Sequence, residues 1–207
     1  MDTSYKTVKT ENHDEFVEKH SRFIGYCKPV ATEQEAVDFI NMIKKKHWDA
    51  RHNCYAYSLR DSQIRRYSDD GEPSGTAGMP ILDVITKSGI VDVVVVVTRY
   101  FGGILLGTGG LVRAYSQGCK LALESAGPVT MELCSECFIR CSYNRYGKLN
   151  TVIIDNGGTV DSVNYADDVK INFHIPSEKV AALDKIFADV TSGEIKTEIS
   201  GEKFFEN

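Results

Sequence analysis

Residues 68–113 read SDDGEPSGTAGMPILDVITKSGIVDVVVVVTRYFGGILLGTGGLVR. Two glycine-rich clusters enclose a helical pattern and a run of valines. Each glycine inside a helix or strand costs about 0.5–1 kcal/mol relative to alanine, so such clusters mark tight turns or a backbone that something approaches closely. Asp69, Asp70 and Glu72 crowd into the first cluster, Arg99, Tyr100 and Phe101 lead into the second, and Arg113 follows it. Between them, Ile81, Leu82 and Ile85 recur at helical spacing before Ser88 and Gly89. Residues 92–98 are too short for a buried helix and rich in β-branched side chains, which predicts a central strand. After Gly109 and Gly110 a helix is expected to about Ala126, with Leu111, Tyr115, Leu121 and Leu123 among its apolar residues.

Upstream, residues 21–30 read as a strand. Thr32 and Glu35 form a plausible capping box ahead of Ala36, Phe39, Ile40 and Ile43 at helical spacing. Strands are expected around residues 53–60 and 64–68. Downstream, a strand is predicted at 129–142 and a helix at 143–155, with Tyr146, Leu149, Val152 and Ile153 inward. A hairpin at 159–165 and 169–175 turns around Asp167 and Asp168. Ser177 is placed to cap a helix whose buried stripe is Val180, Leu183, Phe187 and Val190, and a last strand follows from Glu194. The N-terminal order is β-α-β-β-α-β-α after some initial strands. The C-terminal order is β-α-β-β-α-β, the ferredoxin-like arrangement.

The chain has 207 residues, enough for two domains with cores of their own. Charge locates the boundary: residues 1–128 hold 16 Lys+Arg and 16 Asp+Glu, whereas residues 129–207 hold 8 against 13. The whole net charge of −5 therefore sits in the second part. Gly127 and Pro128 supply a turn where the pattern changes, so the domains are expected at 1–128 and 129–207. The first twelve residues are polar, which argues against a secretory signal. No apolar run approaches the roughly 20 residues of a membrane span. The expectation is a cytoplasmic protein without a membrane partner. Lys44, Lys45, Lys46, Arg51, Arg60, Arg65 and Arg66 outnumber Asp49 and Asp61 locally. A lysine run ending a helix also satisfies the helix dipole.

SDDGEPSGTAGMP followed by VVVVTRYFGGILLGTGGLVRAY resembles the signature of the YigZ/IMPACT family, most densely through residues 51–115. The resemblance implies a two-domain α+β protein linked to control of translation, with no agreed enzymatic reaction. It implies a ribosomal-protein-like, left-handed β-α-β fold for the first domain, as in elongation factor G. It implies likeness to a C-terminal domain of elongation factor G for the second. Eukaryotic members suggest regulation through protein contacts, but they carry an additional domain.

For function, the second glycine cluster opens a helix, and free N–H groups at a helix start favour anions. Gly102, Gly103, Gly107, Thr108, Gly109 and Gly110, with Arg51, His52, Arg99, Tyr100 and Arg113, are the candidates for phosphate or nucleic-acid binding. Arg99 and Arg113 are expected on phosphates, with Tyr100 or Phe101 beneath them or on a base. The alternative is that the glycines merely let helix and sheet pack closely. The cluster is neither a Walker A loop nor a dinucleotide fingerprint. Asp69, Asp70 and Glu72 admit a magnesium reading or a base paired with His52. A rigid loop of carboxylate-to-backbone hydrogen bonds is preferred, because Asp69 and Asp70 diverge if extended. Cys134, Cys137 and Cys141 share a predicted strand, with Cys134 on the opposite face, which is poor zinc geometry. No metal or cofactor is expected, and no serine or cysteine sits in a nucleophile motif. The favoured function is a non-enzymatic, translation-associated protein contacting RNA, the ribosome or a regulatory protein. The alternative is a metal-assisted enzyme acting on a phosphorylated small molecule through the acidic loop.

Overall fold

The computed structural model describes residues 3–206 and is a two-domain α+β protein. One compact unit is Tyr5–Thr130. The other comprises residues from Met131 onward together with Thr3 and Ser4. The contact division thus falls after Thr130, and Ser4 belongs with the C-terminal unit although it lies at the other end of the chain.

In the N-terminal unit, strands β2 (Asn12–Glu18), β3 (Ser21–Pro29), β4 (His52–Ser58), β5 (Arg65–Ser68) and β6 (Val93–Tyr100) form one sheet in the order β2-β3-β6-β4-β5. Every neighbouring pair is antiparallel. The valine run is the central strand, and Val93 to Val97 are all 0% exposed. Its composition follows from period-2 alternation between two covered faces. Val93, Val95 and Val97 pack with Ile81 and Ile85 of helix α2 (Gly78–Ser88) and Leu111, Tyr115 and Cys119 of helix α3 (Gly107–Ala126). Val94 and Val96 pack with Ala36, Phe39, Ile40 and Ile43 of helix α1 (Glu33–Lys46) on the other side. Strand β1 (Ser4–Val8) meets this unit through a parallel bridge between Lys6 and Ile90.

Helix ends follow local chemistry. Thr32 caps α1 by accepting from the Glu35 N–H, while Glu35 reaches back to Ala31 rather than to the cap residue itself. Lys44, Lys45 and Lys46 occupy the last turn of α1, where cations suit the dipole. Gly89 ends α2 in the left-handed conformation, φ 70°. Helix α3 starts at Gly107, four residues before Leu111, where its apolar pattern begins. It lies so close to β3 that a Cβ on Gly25 would sit 2.2 Å from the Gly118 carbonyl oxygen.

In the C-terminal unit, β7 (Pro128–Cys141), helix α4 (Tyr143–Asp155), β8 (Thr159–Tyr165), β9 (Val169–Pro176), helix α5 (Val180–Thr191) and β10 (Glu198–Glu206) follow one another. These strands belong to a five-stranded sheet that also includes β1, and their order β10-β7-β9-β8, each of these pairs antiparallel, is that of the ferredoxin-like arrangement. Ile139, Ile171 and Phe173 of the sheet meet Leu149, Ile153, Leu183 and Phe187 of the helices. Two local expectations fail. Ser177 does not cap α5: it opens a short 3-10 turn, and its hydroxyl accepts from Ser135. The last strand begins at Glu198, not Glu194, because residues 194–197 are held as coil, with Ile195 in the core and the Thr197 N–H on Asp184.

All six cysteines are free and buried. Cys137 and Cys141 belong to the C-terminal core, and Cys134 does not. Among the described residues no helix is long and apolar enough to cross a membrane.

Candidate functional site

A cavity of about 400 Å³ lies in the N-terminal unit where both glycine clusters meet the end of the sheet. His52 at the start of β4 and Arg99 near the end of β6 are register partners, so the sheet itself sets them side by side. Glu72 reaches them from the first glycine loop, and Gly107 and Thr108 contribute the start of α3.

The centre is a buried ion pair. Glu72 is 8% and Arg99 5% exposed. One oxygen of Glu72, Oε1, accepts from an Arg99 guanidinium nitrogen at 2.6 Å and from the Tyr115 hydroxyl at 2.8 Å. Arg99 also reaches the Ser21 hydroxyl at 3.5 Å, and its guanidinium carbon lies 5.5 Å from the Phe23 ring and 5.4 Å from that of Phe101. Arg99 Nε is buried without a hydrogen-bond acceptor. Burial, then the neighbouring Cys54 and the Glu72 carboxylate, push the Tyr115 phenol far up, so it stays protonated and donates. Burial likewise holds the Cys54 thiol far above its ordinary range, and its sulfur donates to the Asp69 carbonyl.

His52 is oriented rather than free. Its Nδ1 lies 2.8 Å from the Asp70 carbonyl oxygen, which can only accept, so Nδ1 carries the proton. In the neutral ring the lone pair is then on Nε2, 3.9 Å from Glu72 Oε1. Arg51 lines the cavity beside it and is exposed. Among the described residues, Glu72 is the one carboxylate in the lining, and Arg99 already neutralises it.

The three helices of this unit differ at their starts. Helix α1 has Thr32, Glu33 and Glu35. Helix α2 has Asp69, whose carboxylate accepts from the Ala77 and Gly78 N–H groups at 3.0 and 2.8 Å and from Gly75 at 2.9 Å. Helix α3 has neither a side-chain cap nor an acidic residue in its first turn. Gly107 starts it with φ +71°, which the missing side chain permits. Phe101, Leu105, Leu106, Leu111 and Pro73 make the remaining wall apolar, with Leu105 83% and Phe101 40% exposed.

The structure sorts the residues singled out from sequence. Arg51, His52, Glu72, Arg99, Gly107 and Thr108 converge on the cavity. Tyr100 does not: its hydroxyl donates to Asp49 at 2.9 Å and accepts from His47 Nδ1 at 2.8 Å, while His47 Nε2 accepts from Tyr26 at 2.6 Å. Arg113 lines a separate depression with Glu18, Lys19 and Gln117, its guanidinium near Gly109 of the first α3 turn. Gly110 lies in that depression too. Gly102 lets the loop rest on the β2–β3 turn, since a Cβ there would lie 2.1 Å from the His20 backbone, and Gly103 turns the chain with φ +87°. Arg99 is not an exposed phosphate contact, because Glu72 holds its end. Asp69 and Asp70 do not converge with Glu72. Asp69 caps α2, and Asp70 accepts from Lys44 at 2.6 Å and from the Asn53 N–H at 2.7 Å. Tyr115 and Ser21 were not legible as site residues, whereas the Ile104–Leu105–Leu106 run inside a glycine loop was a readable signal of an apolar wall.

Comparison with known proteins now defines the class. Residues 19–123 match the Impact N-terminal domain, and residues 139–194 match a domain of unknown function, DUF1949. The chain belongs to the YigZ/IMPACT family. It is 39% identical to the IMPACT family member YvyE of Bacillus subtilis (strain 168), over 92% of this chain and 88% of that one. It is 35% identical to the IMPACT family member YigZ of Escherichia coli (strain K12), over 86% and 89%. The Protein IMPACT homolog of Dictyostelium discoideum matches at 39% identity over 44% of this chain and 27% of its own. A crystal structure of a hypothetical protein superposes with a TM-score of 0.61 at 32% identity, covering 95% of this chain and 97% of that one.

Proposed function

We propose that this is a translation-associated binding protein whose N-terminal unit contacts RNA around the open start of α3. The carrying observation is charge: with Glu72 cancelled by Arg99, what remains at the cavity is the Arg51 cation, open N–H groups and an exposed aromatic, Phe101. Arg113, near Gly109 of the same helical turn but in a separate depression, adds a second cation beside the helix start. Family membership supports the link to translation, and a cytoplasmic location follows from that reading. Because the Dictyostelium relative matches over so little of its length, its own partners are not transferred to this chain. The metal-assisted alternative loses support because Asp69 and Asp70 spend their oxygens on backbone N–H groups and Lys44.

The test is RNA affinity of the full chain across a salt series, with Arg51→Ala and Arg113→Ala. Each loss of a phosphate contact should lower the salt slope by about one and leave sequence preference unchanged. Unchanged slopes in both variants refute this surface, and no RNA binding at any salt points to a protein partner instead.

A further inference from the structure

The cavity has a composition more specific than a phosphate-contacting rim requires. Its volume of about 400 Å³ suits one small ligand rather than a strand in passing. One end offers the unshared N–H groups of the first α3 turn, the Thr108 hydroxyl and Arg51, three kinds of donor suited to a phosphate. The same lining carries the exposed apolar side chains of Phe101 and Leu105, a surface suited to the flat face of a base. The lining also holds Arg99 and His52. Arg99, 5% exposed and in the cavity lining, has an Nε without an acceptor. His52, locked by the Asp70 carbonyl, offers the lone pair of Nε2 and so accepts from a hydroxyl.

We propose that this cavity binds a single ribonucleotide, its phosphate on the first turn of α3, its base against Phe101 and its ribose 2′-hydroxyl donating to His52. The inference rests on the RNA-binding reading and deepens it. The same chemistry is presented by a free nucleoside monophosphate and by a nucleotide at the end of an RNA chain, so both are tested.

The experiment titrates the full-length protein calorimetrically with AMP, 2′-deoxy-AMP, adenosine and orthophosphate, and with a short single-stranded RNA bearing or lacking a 5′ phosphate. AMP should bind saturably. Adenosine and orthophosphate should each bind at least about tenfold more weakly, since each forgoes one end of the site. Arg51→Ala and Phe101→Ala, both exposed positions, should each weaken AMP by about tenfold without changing the thermal transition. If the 5′-phosphorylated RNA binds more tightly than its unphosphorylated form and competes with AMP, the site serves an RNA end. If the two RNAs bind alike and neither displaces AMP, the site serves the free nucleotide. Orthophosphate binding as tightly as AMP, 2′-deoxy-AMP binding equally, or no saturable AMP binding below about 10 mM overturns the proposal. If AMP fails while RNA still binds with an Arg51-dependent salt slope, only the cavity inference falls. If AMP binds while RNA does not, the RNA reading falls and the nucleotide site stands.

Discussion

Replacing Glu72 by Gln isolates the charge at the centre of the N-terminal unit. Gln keeps the shape and retains an oxygen to accept from Tyr115, but it leaves the Arg99 guanidinium without a counter-ion. Both side chains are almost fully buried, at 6% and 4% exposure, so solvent does little to screen the loss. Breaking a buried pair from one side costs about 3–5 kcal/mol. For a unit of this size about 4 °C per kcal/mol applies, so the thermal midpoint should fall by roughly 12–20 °C. The double variant Glu72→Leu/Arg99→Met removes both charges. It leaves only the Tyr115 hydroxyl without its acceptor, at about 1–3 kcal/mol, and so should be more stable than the single variant. Scanning calorimetry of the full chain measures both, with hydrogen exchange of Val93–Tyr100 assigning the loss to the N-terminal unit. A cost below about 1 kcal/mol for Glu72→Gln, or a double variant no better than the single, would falsify the account of a desolvated pair.

Three further outcomes are expected. Gly25→Ala should destabilise by about 1–3 kcal/mol in urea unfolding, because the new Cβ meets the Gly118 backbone at 2.2 Å and no flexible side chain can yield. Burial first, with Lys46 adding to it, holds the His47 pKa below its ordinary 6.5. The unfolded chain then binds the proton that the folded chain refuses, so stability is full above about pH 6.5 and declines as pH falls toward the lowered folded pKa. Urea midpoints at stepped pH should show this slope in the parent and lose His47's share of it in His47→Gln. Finally, the six cysteines should resist alkylation at pH 8 in the native protein and all react in denaturant, since every one is buried and burial pushes the thiols up, Cys137 to about 11. Rapid native labelling at Cys134, read by mass spectrometry, would contradict its burial.

The fold was legible where local pattern and burial agree. The valine run announced a central strand, and it lies mid-sheet with α2 and α3 on one face and α1 on the other. What escaped was decided by distant partners. Ser177 has the chemistry of a cap, but a serine 42 residues away in sequence takes its hydroxyl. Glu72 looked like one of three equivalent acids. Its partners Arg99 and Tyr115 lie 27 and 43 residues off, and no local spacing reveals them.

One division at the site was available from periodicity and bears on function. Arg99 and Tyr100 are successive residues of one strand, so they must face opposite sides of the sheet. Arg99 shares its side with Val93, Val95 and Val97, Tyr115 and the acidic loop, and its register partner is His52. Tyr100 shares its side with α1, where His47 and Asp49 take both capacities of its hydroxyl. A polar chain closed in this way, from Tyr26 through His47 to Asp49, has little left to offer a ligand and serves to fix the end of α1 against the sheet. The helix α3 face is different, because there an oriented histidine, an unshared arginine nitrogen and an uncapped helix start remain partly unsatisfied. Hydrogen-bonding capacity left open on rigid elements is the physical signature of a binding site, and His52 and the start of α3 bring it to one cavity.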